Sequence, residues 1–392
     1  MHASHALRLA LATAAAGFLA GCSSDSPGSD PNEPGPPPTL AEATTIDLAH
    51  PPQYASVTWP MDYSPQVVGA NNIPVDNPVT DGGALLGRVL FYDRELSFNR
   101  QLRCASCHRQ QFGFADTARF STGADGRSRT TTHAMRLVNA RFYRPGKAFW
   151  DRRASTYETQ ASMPILATNE LGFDASHGGM PALIERLQAL PYYNELFRYA
   201  YGDSVVTEDR MQRALAQFVR SLVSVNSRFD KGWEYVYNAF TPDHDILRPF
   251  PGYTEEENRG KQLFIIAPAS GGAGCASCHV PPTFALIGGA LSNGLDSGQV
   301  AVFKAPSLKS MASVSRFMHD GRFKSLTEVV EHYNSGIKGG PMLDYRLHRP
   351  DNPAPLRLNL PAADKRALVA FLKTLTDESI ATDPRFADPF RP

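Results

Sequence analysis

Two copies of one pentapeptide constrain this chain most: Cys-Ala-Ser-Cys-His stands at residues 104–108 and again at 275–279. The pattern Cys-x-x-Cys-His is typical of covalent c-type haem attachment. Its two thiols can add to the vinyl groups on one edge of a porphyrin, and the adjacent His then lies under the iron as proximal ligand. The pattern predicts two haem c groups, bound by Cys104, Cys107 and His108 and by Cys275, Cys278 and His279.

A zinc site and a redox-active dithiol are the two alternatives for each Cys-x-x-Cys pair. Zinc needs further Cys or His ligands nearby, and neither pentapeptide has a second ligand pair close behind it. Haem is therefore the favoured interpretation at both motifs.

The fifth cysteine, Cys22, lies in a different context. An apolar segment from Leu9 to Leu19 follows Arg8. Ala20, Gly21 and Cys22 come directly after it, so that the sequence reads Leu-Ala-Gly-Cys. This is the pattern of a secretory signal with a small-residue cleavage site, here over residues 1–22. Cys directly after small residues resembles a bacterial lipobox. The pattern predicts a lipid-anchored protein of the cell envelope, facing the periplasm and expected at the outer membrane. An ordinary signal peptide with an incidental Cys is the alternative.

Charge and hydropathy exclude several classes of partner. The apolar segment is too short to span a membrane, and no later stretch qualifies, so we expect only the lipid to contact the membrane. Lys and Arg number 39, and so do Asp and Glu. This balance gives no overall field for nucleic acid or anionic lipid, although a local patch for a redox partner stays open.

The remaining chain is predicted to be all-α, with two cytochrome c-like haem domains in tandem. A flexible linker and a Pro-rich wrapping segment occupy residues 23–76. Residues 77–250 form the first domain, which carries a long insertion over about 121–170, and residues 251–392 form the second.

Helical patterns flank each haem motif. One predicted helix runs from about Thr80 to Phe91, and another begins with the capping box of residues 254–257. Apolar residues at helical spacing predict a closing helix in each half, with Pro361 in the first turn of the second. These residues are Met211, Leu215, Phe218 and Leu222, then Leu368, Phe371, Leu372 and Leu375.

Blocks outside the haem motifs carry a specific resemblance. They are Phe-Trp-Asp-Arg-Arg-Ala at 149–154, Glu-Thr-Gln-Ala at 158–161, Met-Pro-Ile at 163–165 and Glu-Leu-Gly at 170–172, followed by blocks at 303–308, 317–323 and 331–336. With these blocks, the chain resembles the bacterial di-haem cytochrome c peroxidase and MauG family over roughly residues 77–390.

The resemblance implies that peroxide reacts at the N-terminal haem. His108 would be its proximal ligand and Glu170 its distal acid, with Gln160 and Pro164 lining the same pocket. A proton must move between the two peroxide oxygens before their bond breaks, and a carboxylate over the iron can take and return it. The alternatives are a helix-capping or exposed Glu170, a surface amide at Gln160 and a helix start at Pro164.

The resemblance also assigns residues to the path between the haems and to the second iron. Trp150 matches a tryptophan that relays electrons between the haems; an ordinary core aromatic is the alternative. Tyr333 matches the sixth ligand of the C-terminal haem in MauG-like members, where a phenolate favours ferric iron. The alternatives are that Tyr333 is only a core residue and that Met342 or Met318 is the ligand, and a thioether raises the potential.

A calcium ion between the haem domains is common in that family, held by an Asn side chain and two carbonyls. Here His133 stands at the Asn position, and the carbonyl region reads Val-Ser-Arg at 314–316. Imidazole is a poor calcium ligand, so calcium stays an open question. His319 is expected to be a hydrogen-bonding residue near the haems rather than a ligand. His133 is expected to be a satisfied surface or core residue, with an approach to the iron in a resting form as the alternative.

Three functions follow from these assignments. The first is a peroxidase that reduces hydrogen peroxide with electrons from a small cytochrome c or cupredoxin. The second is a MauG-like enzyme that uses peroxide to oxidise Tyr or Trp side chains of a partner protein, which Tyr333 favours. The third is a di-haem electron carrier, against which Glu170 and the insertion count. Homodimers are common in the family.

Overall fold

Helices dominate the computed structural model, which describes residues 36–392 apart from 287, 290 and 350. In this part the α-helices are α1 (Leu40–Ala43), α2 (Pro65–Gly69), α3 (Asp81–Tyr92), α4 (Cys104–Cys107), α5 (Tyr157–Leu166), α6 (Gly179–Gln188), α7 (Pro191–Tyr201), α8 (Glu208–Ser221), α9 (Arg228–Val236), α10 (Glu255–Ile265), α11 (Leu326–Glu331), α12 (Ala362–Thr374) and α13 (Glu378–Thr382). Strands β1 (His348–Arg349) and β2 (Asn352–Pro355) pair antiparallel, with His348 opposite Pro355. The predicted all-α class is confirmed. Cys22, the signal segment and the linker up to residue 35 lie outside the described residues.

Side-chain caps fix where the helices that carry the site begin. The Thr254 hydroxyl accepts the Glu257 N–H at 3.1 Å, and the Glu257 carboxylate accepts the Thr254 N–H at 2.8 Å, which confirms the predicted capping box of α10. Thr80 caps α3 through the N–H of Gly83. Pro361 is the residue before α12 rather than part of its first turn, because its ψ of 159° is extended.

The same helix crossing occurs in both halves. Helix α3 crosses α8, and a Cβ added at Gly87 would lie 2.0 Å from the carbonyl oxygen of Ala214. Helix α10 crosses α12, and a Cβ at Gly260 would lie 1.9 Å from the carbonyl oxygen of Ala367. Only glycine allows so close an approach. The crossing residues lie in matching sequences, Gly-Arg-Val-Leu-Phe at 87–91 and Gly-Lys-Gln-Leu-Phe at 260–264.

Two apolar cores surround these crossings, and each takes in a segment from the far side of residue 250. Ile380 and Phe386, near the end of the chain, pack in the core of α3 and α8. The Tyr92 hydroxyl donates to the carbonyl of Phe386 at 2.7 Å. Conversely, Phe229 and Trp233 of α9 pack in the core of α10 and α12. Residues 38–392 therefore form one compact unit, and the division predicted at 250 and 251 stays a prediction.

Within the part of the chain that the structure describes, no helix has both the length and the apolar character to cross a membrane.

Candidate functional site

Each Cys-Ala-Ser-Cys-His motif lines a large cavity. The His108 cavity has a volume of about 430 Å³ and is lined by Cys104, Cys107 and His108. The His279 cavity, of about 630 Å³, is lined by Cys275, Cys278 and His279. Both volumes lie within the range of about 300–1,000 Å³ that is usual for cofactor sites.

The two motif histidines are oriented alike. His108 Nδ1 lies 2.9 Å from the carbonyl oxygen of Phe114, and His279 Nδ1 lies 3.3 Å from that of Phe284. Because a carbonyl only accepts, Nδ1 carries the proton and Nε2 keeps its lone pair for a metal. Burial lowers the pKa of His108, and it lowers the pKa of His279 to about 4, so both imidazoles are neutral at pH 7.

Buried polar atoms around the cavities lack partners among the described residues. They are His133 Nε2 and Arg136 Nε, which line both cavities, and Asn293 Oδ1 in the His279 cavity. Buried polar atoms are normally hydrogen-bonded, so these atoms suit a polar group that the side chains do not supply. Of these atoms, Arg136 Nε is a donor and suits a haem carboxylate, and Arg136 lines both cavities. The paired thiols and the oriented imidazole of each motif fit a haem in each cavity.

A turn that folds back on α5 places Glu170 in the His108 cavity. The N–H of Leu171 donates to the carbonyl of Pro164 at 3.0 Å, and the N–H of Ala124 donates to that of Glu170 at 2.8 Å. Glu170 lines the cavity and starts no helix, so it caps none. Burial raises the pKa of its carboxyl above the ordinary value, and the Arg153 charge partly opposes this rise.

Gln160 and Pro164 lie one turn apart on α5 and line the same cavity. Pro164 lies inside the helix, so it is not a helix start. Because proline has no N–H, the carbonyl of Gln160 loses its usual helical donor. Glu170, Gln160 and Pro164 thus meet around the His108 cavity, and none of them is among the described residues that line the His279 cavity.

Trp150 lines both cavities. Its indole N–H donates to the carbonyl of His133 at 2.7 Å, and its own carbonyl accepts the N–H of Lys304 at 2.8 Å. The first bond fixes the ring and the second fixes the backbone, within a layer formed by residues 133–136, Trp150 and Lys304, which we call the partition. The structure thus places Trp150 where an electron relay would have to be, and the relay itself stays a prediction.

Tyr333 and Met318 line the His279 cavity, whereas Met342 is not among its described lining residues. Tyr333 lies in a single π-helical turn, His332–Gly336, that continues α11. Burial raises the pKa of its phenol, and a hydrogen bond with Asn293 partly offsets the rise. Of the three candidate sixth ligands, the geometry therefore keeps Tyr333 and Met318.

A curated relative decides the family. The methylamine utilization protein MauG of Methylorubrum extorquens is 33% identical over 326 residues, which cover 79% of this chain and 82% of that protein. This chain belongs to the di-haem cytochrome c peroxidase and MauG family.

Further similarities agree with this membership. The family model described as di-haem cytochrome c peroxidase matches residues 82–235. The cytochrome c551 peroxidase of Nitrosomonas europaea is 29% identical over 330 residues, or 79% of this chain and 83% of that protein. The solved structure of a MauG-like protein associated with microbial copper homeostasis has a TM-score of 0.67 and 28% identity, covering 85% of this chain and 99% of that one. Membership of this family implies two haem c groups and oxidoreductase chemistry.

Of the two further histidines discussed, His133 is buried and His319 is stacked. The His133 Nδ1 lies 3.0 Å from the carbonyl of Ala118, so the ring is satisfied on one side only. His319 stacks on Phe303 with ring centroids 3.9 Å apart. No group of three or more His, Cys, Asp or Glu side chains suited to a metal occurs in the described residues. Calcium, which would use backbone carbonyls here, stays an open question.

Sequence reasoning missed three partition or cavity residues: Arg136, Tyr157 and Lys304. Arg136 and Lys304 line both cavities, and Tyr157 lines the His108 cavity. Lys304 stands inside the family block at 303–308, which was the one available signal. Its contact with Tyr157 joins positions 147 residues apart, and no local pattern shows such a contact.

Proposed function

We propose that this protein reduces hydrogen peroxide to water at the haem of His108, with electrons that a small periplasmic redox protein delivers at the haem of His279. One observation carries the proposal: two identical motifs have different surroundings. Glu170, Gln160 and Pro164 line the His108 cavity, whereas Tyr333 and Met318 line the His279 cavity.

The bound haem supplies an iron at which peroxide can be held and its O–O bond broken. Glu170 moves the proton: its carboxylate takes one from peroxide and returns it to the departing oxygen. A general acid–base group works best with a pKa near the working pH, and burial moves the pKa of Glu170 in that direction. Gln160 orients polar groups in the same cavity, and the proline ring of Pro164 keeps that wall apolar.

Trp150 gives the electrons a path. Trp150 lines both cavities, its indole N–H donates to the carbonyl of His133, and its backbone carbonyl accepts the N–H of Lys304. Two electrons and two protons convert one hydrogen peroxide to two waters. A donor protein that carries one electron must therefore bind twice for each peroxide. A small cytochrome c or a cupredoxin, each a one-electron carrier, suits this demand.

A MauG-like oxidation of Tyr or Trp side chains in a partner protein is the second candidate. Tyr333 favours it, because a phenolate ligand would make the second haem hard to reduce and suited to holding oxidising equivalents. The relative from Methylorubrum extorquens, which is named for methylamine utilization, also supports it.

The lipobox sequence supports a location in the cell envelope. We infer that Cys22 is lipidated and that the protein faces the periplasm from the outer membrane. A small donor or protein substrate would then meet it in that compartment.

Donor-dependent turnover separates the two candidates. The purified di-haem protein is mixed with hydrogen peroxide and either a reduced monohaem cytochrome c or a reduced cupredoxin. Sustained oxidation of two donors per peroxide is the expected result. No oxidation of either donor, together with a long-lived change in the haem bands after peroxide alone, would contradict the peroxidase and support the second candidate.

A further inference from the structure

Lys304 and Tyr157 form a buried pair in the wall of the His108 cavity. The Lys304 Nζ lies 2.5 Å from the Tyr157 hydroxyl oxygen. Lys304 is 5% exposed and Tyr157 is 4% exposed. The backbone N–H of Lys304 donates to the carbonyl of Trp150, so the pair is joined directly to the predicted electron path.

No carboxylate pairs with Lys304 among the described residues. Its ammonium group lies 4.5 Å from the ring centre of Tyr143 and 5.0 Å from that of Tyr157. The buried Lys309, in contrast, contacts Asp230. Burial without a counter-charge disfavours the ammonium form, and it lowers the pKa of Lys304 to about 7. Burial thus favours the neutral amine of Lys304, which can accept a proton at the Tyr157 hydroxyl.

Other groups around the Tyr157 hydroxyl cannot take its proton. The carbonyl of Ala140 lies 3.2 Å away and accepts a hydrogen bond, but it is not a base. The Arg220 guanidinium lies 5.5 Å from the ring and is paired with Glu158, so it offers no lone pair for a proton. Lys304 is the remaining proton acceptor within hydrogen-bond distance.

We propose that Tyr157 is a second oxidisable side chain at the His108 haem, beside Trp150, and that Lys304 accepts its phenolic proton. This inference deepens the proposed function and rests on it.

The step is balanced in electrons and protons. Tyr157 gives one electron to the His108 haem after peroxide has oxidised it, and the O–H bond of the phenol breaks. The proton forms a new N–H bond on the neutral amine of Lys304. The products are a neutral tyrosyl radical and an ammonium group. One electron from the donor protein, with return of the proton, restores the pair.

The pair would hold one oxidising equivalent in the wall of the cavity until a donor binds. A phenol is oxidised readily only if its proton can leave, and burial raises the pKa of Tyr157, so no phenolate exists beforehand. A base in direct contact removes that obstacle.

Electron paramagnetic resonance after rapid freezing tests the electron donor. Holoprotein with ring-deuterated tyrosine is mixed with peroxide alone, and the expected signal is a radical whose spectrum narrows with deuterium. In Tyr157→Phe this signal should be at least tenfold weaker than in wild type. Tyr143→Phe is the matched control, because Tyr143 is buried beside the same lysine but makes no hydrogen bond to it. An equal signal in Tyr157→Phe and wild type would overturn the inference.

Two lysine variants test the base. Lys304→Arg keeps a cationic donor that cannot take a proton, and Lys304→Met removes both functions. Both should lose the signal about equally; full signal in Lys304→Arg would show that only charge matters and would overturn the base role. If either variant fails to load haem, high-field electron paramagnetic resonance spectra of the wild-type radical test the base role instead. A g-value shifted by a nearby hydrogen-bond donor supports the lysine, and an unshifted value contradicts it.

The optical spectrum separates this inference from the proposed function. No change in the haem bands of wild type after peroxide would mean that the proposed function fails. A clear change without a deuterium-sensitive radical would mean that the proposed function stands and that Tyr157 is not oxidised.

Discussion

His108 and His279 are held by the same bond, from Nδ1 to a carbonyl five or six residues further on. Their own orientation therefore cannot give the two haems different chemistry. The cavities differ in the other residues that line them, an acid in one and a phenol and a thioether in the other. Under the proposed function, Glu170, Tyr333 and Met318 decide what each iron can do.

Replacing the phenol should change the second haem alone. If Tyr333 is the sixth ligand, Tyr333→Phe loses the low-spin signature of that haem in electron paramagnetic resonance, and the reduction potential rises because the anionic ligand is gone. Tyr345→Phe, an exposed residue outside both cavities, is the control. An unchanged spectrum in Tyr333→Phe, with a changed one in Met318→Leu, would assign the thioether instead.

Residues in short local motifs could be predicted from the sequence, whereas residues defined by long-range contacts could not. The thiols and imidazoles lie within five consecutive positions, so the sequence alone points to them. Glu170, Gln160 and Pro164 needed the resemblance of the blocks at 158–172, because a lone Glu in a turn looks like any other. The contact of Lys304 with Tyr157 spans 147 positions, and only folding brings it about.

The same type of helix crossing, with a glycine at the contact, occurs in both halves of the chain. Capping residues and apolar spacing are local, so α3, α8, α10 and α12 were predicted close to their observed positions. The exchange of α9 and of the chain end between the cores was not predicted, because it depends on packing between distant segments.

A single methyl group at the second crossing should be costly. Gly260→Ala places a Cβ 1.9 Å from the carbonyl of Ala367, so α10 and α12 must separate. We expect a loss of about 1–3 kcal/mol in the free energy of unfolding, measured by urea denaturation of the holoprotein. Gly69→Ala, a helical position with nothing within 4 Å, is the control and should cost nothing. Equal stability of the two variants would contradict the close crossing.

For the whole molecule, a buried carboxyl ties stability to pH. Asp62 is 3% exposed, and neither of its oxygens has a partner among the described residues. Burial and the nearby Asp230 raise its pKa from 3.8 to about 7. Between pH 4 and 7 the folded protein keeps this proton while the unfolded chain releases it, so stability should fall as the pH rises, by up to about 4 kcal/mol.

Asp62→Asn removes this titration. Its free energy of unfolding should vary less between pH 5 and pH 8 than that of wild type, and the variant should be the more stable of the two at pH 8. Asp351→Asn, at an exposed position, should keep the wild-type pH dependence. A wild-type pH profile in Asp62→Asn would show that other groups set it.

The acid in the His108 cavity gives the most direct test of the proposed chemistry. Stopped-flow measurement of the reaction of the holoprotein with hydrogen peroxide compares Glu170→Gln with Glu185→Gln, the same chemical change on the exposed face of α6. We expect Glu170→Gln to slow the reaction by about 10²–10⁴-fold, while Glu185→Gln reacts like wild type. A wild-type rate in Glu170→Gln would contradict the division of labour between the two haems.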